Sequence, residues 1–182
     1  MYDTGVKDNH SLTVFWHHGT PNIGPPPEPL FPVSAELGIR WVSYDRPGYG
    51  GSTRDPGRDI ASAAAYVAAV ADELSIDRFA VMGHSGGGPH ALACGALLPA
   101  RVLGAVSMSG LAPYGAERLD WFAGMSAAGV ASLRAAAAGR QAKEAYEASP
   151  PAGDLGFTDA DEAALSGAWS WLIDVVRPAI AG

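Results

Sequence analysis

Two periods of hydrophobic and polar residues run through the first 110 positions. Leu12-Thr-Val-Phe-Trp16, Ile39-Arg-Trp-Val-Ser-Tyr44, Phe79-Ala-Val-Met82 and 102–108 are short β-type runs bounded by Gly, Pro or Asp. The run at 79–82 is apolar throughout, as expected of a strand covered on both faces. Between the runs the period lengthens. Ile60, Ala63, Val67, Val70 and Leu74 fall three and four apart behind Asp59, a good N-cap, and predict a helix. Shorter helices are predicted over about 30–37, stopped by Gly38, and over about 89–98, where Pro89 needs no amide donor in the first turn. Strand alternating with helix in this order predicts an α/β fold with a doubly wound, mostly parallel sheet.

The pattern changes after about Pro113, where no further strand is predicted. Residues 117–148 read as two helical pieces interrupted near Gly124 and Gly129, and 149–156 reads as a loop. Thr158 then caps a helix with Asp161 in the third position of a capping box and a face of Leu165, Trp169, Leu172 and Val176. The expected division is an α/β core over 1–113 and a helical segment over 114–182. Trp121, Trp169 and Trp171 lie in the second part. A Trp on a helical stripe is a core residue first and the lining of an apolar pocket second.

Composition narrows the function. The chain has 182 residues, 48% hydrophobic and 17% charged, enough apolar material for one core. The net charge is −7 and no Lys/Arg run exists, which excludes nucleic acid and an anionic membrane surface as expected partners. Cys94 is the only cysteine, so neither an intrachain disulfide nor a cysteine metal cluster is expected, and a reducing, cytoplasmic compartment fits. No secretory signal and no apolar stretch of membrane-spanning length is visible. The histidines show no i, i+4 pair with a third ligand, so no metal is expected, and no cofactor either.

Gly83-His-Ser-Gly-Gly87 has the form G-x-S-x-G and stands between a predicted strand and a predicted helix, the context of a nucleophile elbow. A sharp turn there lifts the Ser85 hydroxyl clear of the sheet and leaves no room for side chains two positions away, where Gly83 and Gly87 stand. The following helix turns free amides toward the site, and the Gly86 amide is one candidate oxyanion donor. The competing reading is a structural or phosphate-binding turn. No Gly-Lys-Ser/Thr follows, and the G-x-G-x-x-G spacing is absent. His18-Gly-Thr-Pro21 ends the first strand, so in a doubly wound sheet it opens on the same side, with the Thr20 amide as the second candidate donor.

Those two motifs, with Asp45-Arg-Pro-Gly-Tyr-Gly-Gly-Ser52 between them, resemble the α/β-hydrolase superfamily in order and spacing, and most of all its serine esterase and proline-iminopeptidase-like branch. The resemblance covers most of 1–113. The helical remainder resembles the family's cap insertion in composition and place only. The resemblance implies a serine hydrolase of a small, fairly apolar ester or amide, acting through an acyl-serine on Ser85. It also implies that the loop after the second strand is scaffold, with Asp45 and Arg46 read as an ion pair.

Neither the acid nor the base of such a site is found. Serine is a poor nucleophile without a base, and the family places its acid and histidine after the serine. The only histidine beyond Ser85 is His90, inside the next helix, while His84 precedes the serine and His10, His17 and His18 lie upstream. Asp120, Asp154, Asp159, Asp161 and Asp174 read as caps and solvated helix faces. The expectation is a chain that stops within its cap, lacks two late strands, has a reduced opening hairpin around Tyr2-Asp-Thr-Gly5, and is incomplete or inactive alone. Its strand at 102–108 becomes an open apolar edge that invites self-association. The alternative is a non-catalytic hydrolase-like remnant that binds a small ligand or a protein partner.

Overall fold

The computed structural model describes residues 1–5, 11–149 and 156–176. Two sequence expectations, His10 and the loop with Asp154 at 150–155, lie outside them. The chain divides into two compact units, one of Met1–Leu111 with Gly167–Gly182 and one of Ala112–Ser166.

Among the described residues the first unit has five strands: β1 (Tyr2–Asp3), β2 (Leu12–His17), β3 (Ile39–Ser43), β4 (Phe79–His84) and β5 (Val102–Met108). Their order across the sheet is β1-β3-β2-β4-β5. Only β1 is antiparallel to its neighbour, so the sheet is mixed and mostly parallel. Phe15 on β2 stands level with Val42 on β3 and Val81 on β4, and His17 stands level with Gly83.

Side chains alternate across the sheet, and each face has its own core. On one face Phe15, Val42, Phe79 and Val81 pack with Ala63, Val67 and Ala71 of α2 (Ser62–Glu73) and with Ala91 and Cys94 of α3 (Gly88–Leu97). The Phe15 and Phe79 rings meet at 4.7 Å, and burying each side chain contributes roughly 1.5–3 kcal/mol. On the other face Val14, Trp16 and Trp41 pack with Phe31 of α1 (Phe31–Glu36) and with Trp171 and Val175. Helices on both faces make the unit doubly wound, consistent with an incomplete α/β-hydrolase core.

Local chemistry shifts some element ends. Asp59 caps as expected, its Oδ1 accepting from the Ser62 amide at 2.8 Å, but the regular helix starts only at Ser62 and leaves Ile60 exposed. In the second unit, α4 (Ala127–Ala137) and α5 (Arg140–Ala148) are separated at Gly139, whose φ of 106° ends the helix. Gly129, expected to interrupt, lies inside α4, its amide donating to the Ser126 side chain at 3.1 Å. The capping box of α6 (Asp159–Ser166) forms: the Thr158 amide donates to Asp161 and the Asp161 amide to Thr158 Oγ1. That helix does not continue to Val176. It stops at Ser166, and after Gly167 the chain turns through Ala168–Ser170 into α7 (Trp171–Asp174). Trp171 thereby joins the sheet core, 6.3 Å from the Trp16 ring.

Candidate active site

β4 ends at His84, and Ser85 follows with a φ of 51°. That left-handed backbone on a serine carries strain of about 1–3 kcal/mol, held in place by what surrounds it. A Cβ on Gly83 would overlap the Gly87 carbonyl, and a Cβ on Gly87 would overlap the His17 carbonyl. Only glycine fits at either position. Residues Ser85–Gly87 make one tight turn, closed by the Gly88 amide donating to the Ser85 carbonyl, and α3 follows at once. The elbow thus stands at the carboxyl end of β4 with a helix N-terminus behind it.

The loop after β2 meets this turn. A Cβ on Gly86 would lie 2.7 Å from Thr20 Oγ1 and 3.5 Å from the Thr20 amide nitrogen, so the structure brings Ser85, Gly86 and Thr20 together. The Thr20–Pro21 peptide bond is cis. Thr20 Oγ1 also lies 3.3 Å from Tyr49 Oη.

Four histidines surround the turn, and none of them bonds to the Ser85 hydroxyl among the described residues. His18 Nε2 accepts the Arg46 amide at 3.0 Å, so the proton sits on Nδ1, which donates to the Gly19 carbonyl at 2.8 Å. Burial, with the Arg46 charge beside it, pushes this ring down to about 3. His90 Nδ1 is tied to the Gly86 carbonyl at 2.9 Å, and burial lowers the ring to about 4. His17, fully buried, lies with Nε2 3.7 Å from Cys94 Sγ and is held down at about 3 by burial. His84 is also lowered by burial, its Nδ1 beside Gly19. The same burial lifts the Cys94 thiol to about 12, which leaves it inert.

The expected Asp45–Arg46 ion pair does not form. The Asp45 carboxylate instead accepts from the Gly24 amide at 2.7 Å, the Gly51 amide at 3.4 Å and the Tyr2 hydroxyl at 3.3 Å. Arg46, 3% exposed, reaches the loop after β2. Its Nη1 donates to the His18 carbonyl, and its Nη2 to the Gly19 carbonyl at 3.1 Å and Thr20 Oγ1 at 3.3 Å. The Tyr49 ring covers the guanidinium at 4.9 Å. Sequence reasoning missed this role. The available signal was that 39–44 and 12–16 are neighbouring parallel strands, whose outgoing loops must meet.

Among the described residues no group of three or more His, Cys, Asp or Glu is placed to hold a metal ion. No helix among them is long and apolar enough to cross a membrane.

This arrangement of strand, serine turn and facing amide loop defines a hydrolase fold. The profile of the family described as alpha/beta hydrolase fold matches residues 13–179, and the chain belongs to that family. Among solved structures it is similar to an alpha/beta hydrolase fold protein from Nakamurella multipartita, at 29% identity and a TM-score of 0.51, over 60% of this chain and 37% of that one. It is also similar to a predicted CIB-like hydrolase from Thermoplasma acidophilum, at 21% identity and a TM-score of 0.51, over 58% of this chain and 54% of that one. The chain thus spans between about a third and a half of the length of these structures. No curated protein sequence matches it.

Proposed function

We propose that the chain carries the nucleophile and oxyanion part of a serine hydrolase site for a small, fairly apolar ester or amide. Ser85 Oγ attacks the acyl carbonyl, forming a C–O bond while the carbonyl π pair moves onto oxygen. The Gly86 and Thr20 amides receive that oxyanion. Collapse expels the alcohol or amine and leaves an acyl-serine, which water then hydrolyses. The Ser85 proton needs another acceptor, because no imidazole among the described residues bonds to Ser85 and burial lowers the proton affinity of His17, His18, His84 and His90. Without that acceptor, the donors and binding alone sustain only ~10³–10⁴-fold catalysis over water. The observation that carries the reading is Ser85 at a φ of 51° between two glycines that admit no side chain, beside Gly86 and Thr20.

The test is complementation. Supplying a chain that completes the sheet beyond β5 is expected to create ester hydrolysis that Ser85→Ala abolishes. Hydrolysis that survives Ser85→Ala overturns the proposal. The absence of any imidazole bonded to Ser85 among the described residues favours a second reading, a fold that binds a small ligand or a partner without turnover. That reading predicts ligand-dependent stabilisation and no adduct with a fluorophosphonate, and rapid stoichiometric labelling of Ser85 rejects it.

A further inference from the structure

Among the described residues the buried guanidinium of Arg46 has no carboxylate partner, and its Nη1 and Nη2 donate to one loop. A buried charge without a counter-ion is expensive unless its environment is fixed, so the arrangement needs an explanation beyond packing. Two of its acceptors, the His18 and Gly19 carbonyls, are successive main-chain oxygens of the loop after β2. The Gly19 carbonyl receives a second donor, the Nδ1 proton of His18 at 2.8 Å. That carbonyl and the Thr20 amide are the two ends of a single planar peptide unit.

We infer that Arg46 and His18 are positioning residues that orient and polarise the Thr20 amide through the Gly19 carbonyl. The inference rests on the proposed role of Thr20 as an oxyanion donor. Two donors on one carbonyl oxygen draw electron density from the peptide nitrogen, which makes its N–H a stronger donor, as along any chain of hydrogen bonds. They also fix the peptide plane, so the amide is aimed before charge develops. The elbow shows a lesser form of the same arrangement. The Gly86 amide shares its peptide unit with the Ser85 carbonyl, which accepts from the Gly88 amide. One donor peptide is therefore backed by a neutral amide and the other by a cation and an imidazole. Arg46 touches no substrate in this account. Its Nη1 and Nη2 are spent on the loop, and Tyr49 covers it.

The experiment uses the 182-residue chain in two arms. The first needs no variant: in the wild-type protein, NMR is expected to show scalar coupling across the hydrogen bond from an Arg46 guanidinium nitrogen to the Gly19 carbonyl carbon. In Arg46→Lys and Arg46→Met the Thr20 amide proton is expected to move upfield. Absence of the coupling, or an unmoved Thr20 resonance in a folded variant, overturns the inference whatever Ser85 does. The second arm measures fluorophosphonate labelling at Ser85. Labelling in Arg46→Met is expected to slow by about 10- to 100-fold, short of the ~10²–10³-fold for removing an oxyanion donor outright, with Arg46→Lys in between. Wild-type labelling matched by a folded Arg46→Met overturns the inference and leaves the serine hydrolase reading standing. No labelling of the wild type follows from its missing proton acceptor: complementation then decides the serine hydrolase reading, and the first arm decides the inference.

Discussion

β4 and β5 lie side by side, run parallel and carry no Asp, Glu, Lys or Arg, yet they differ sharply in burial. On β4, Phe79 and Val81 are 0% exposed. On β5, Leu103 and Val106 are each 49% exposed, and every residue from Leu103 to Ser107 is open to solvent. An apolar run reports what a strand can tolerate, not what covers it. β4 lies between β2 and β5, whereas β5 stands at the edge of the sheet. The chemistry follows the same division: the serine turn grows from β4 and the amide loop from β2.

The comparison breaks most visibly with a charge. Val81→Asp, at a fully buried site among apolar side chains, is expected to cost about 4 kcal/mol or more and to leave little folded chain. Val106→Asp is expected to stay within about 0.5 kcal/mol. Urea unfolding of both measures the contrast, and equal losses would mean that β5 is covered after all. Glycines sharpen it next. Gly87→Ala forces a methyl onto the His17 carbonyl and is expected to cost about 3 kcal/mol. Gly104→Ala on β5 meets nothing within 4 Å and is expected to be neutral or slightly stabilising. Thermal unfolding of the pair checks this.

Acid gives a graded effect. His17, His18 and His90 are neutral in the folded chain, with values of about 3, 3 and 4 against an ordinary 6.5, so unfolding takes up protons below that value. Stability is fully present above about pH 6.5 and is lost as pH falls toward 4 and 3, by about 1.4 kcal/mol per pH unit for each ring. Denaturant midpoints between pH 7 and pH 4 follow it, and replacing His90 by Gln is expected to flatten the slope by one ring's share. The smallest effect belongs to the approach to β5. Arg101 holds the Asp77 and Ile76 carbonyls as well as Asp72, whose side chain is 69% exposed. Asp72→Asn is therefore expected to shift stability by less than about 0.5 kcal/mol.

Much of the fold was legible because its signals are local. The apolar runs at 12–16, 39–44, 79–82 and 102–108 became strands, and the turn at 83–87 lies between strand and helix because its glycines permit nothing bulkier. The failures were failures of adjacency. Asp45 and Arg46 are neighbours in the chain, but successive side chains leaving a strand point to opposite sides. One went to Gly24 and the other to the loop of His18. The face running from Leu165 to Val176 kept its helical spacing on paper, yet Gly167 broke it and Trp171 found a better partner in Trp16. The open apolar edge at 102–108 was expected, and β5 stands at the edge of the sheet; the orientation of a guanidinium was not, because it depends on which strands become neighbours.

The tautomer of His18 carries one last consequence. With one ring nitrogen accepting and the other donating, this imidazole is already committed, and its companions His17 and His90 are equally silent around neutrality. An inflection near pH 7 in the rate of any reaction at Ser85 would therefore be the fingerprint of a group other than these three.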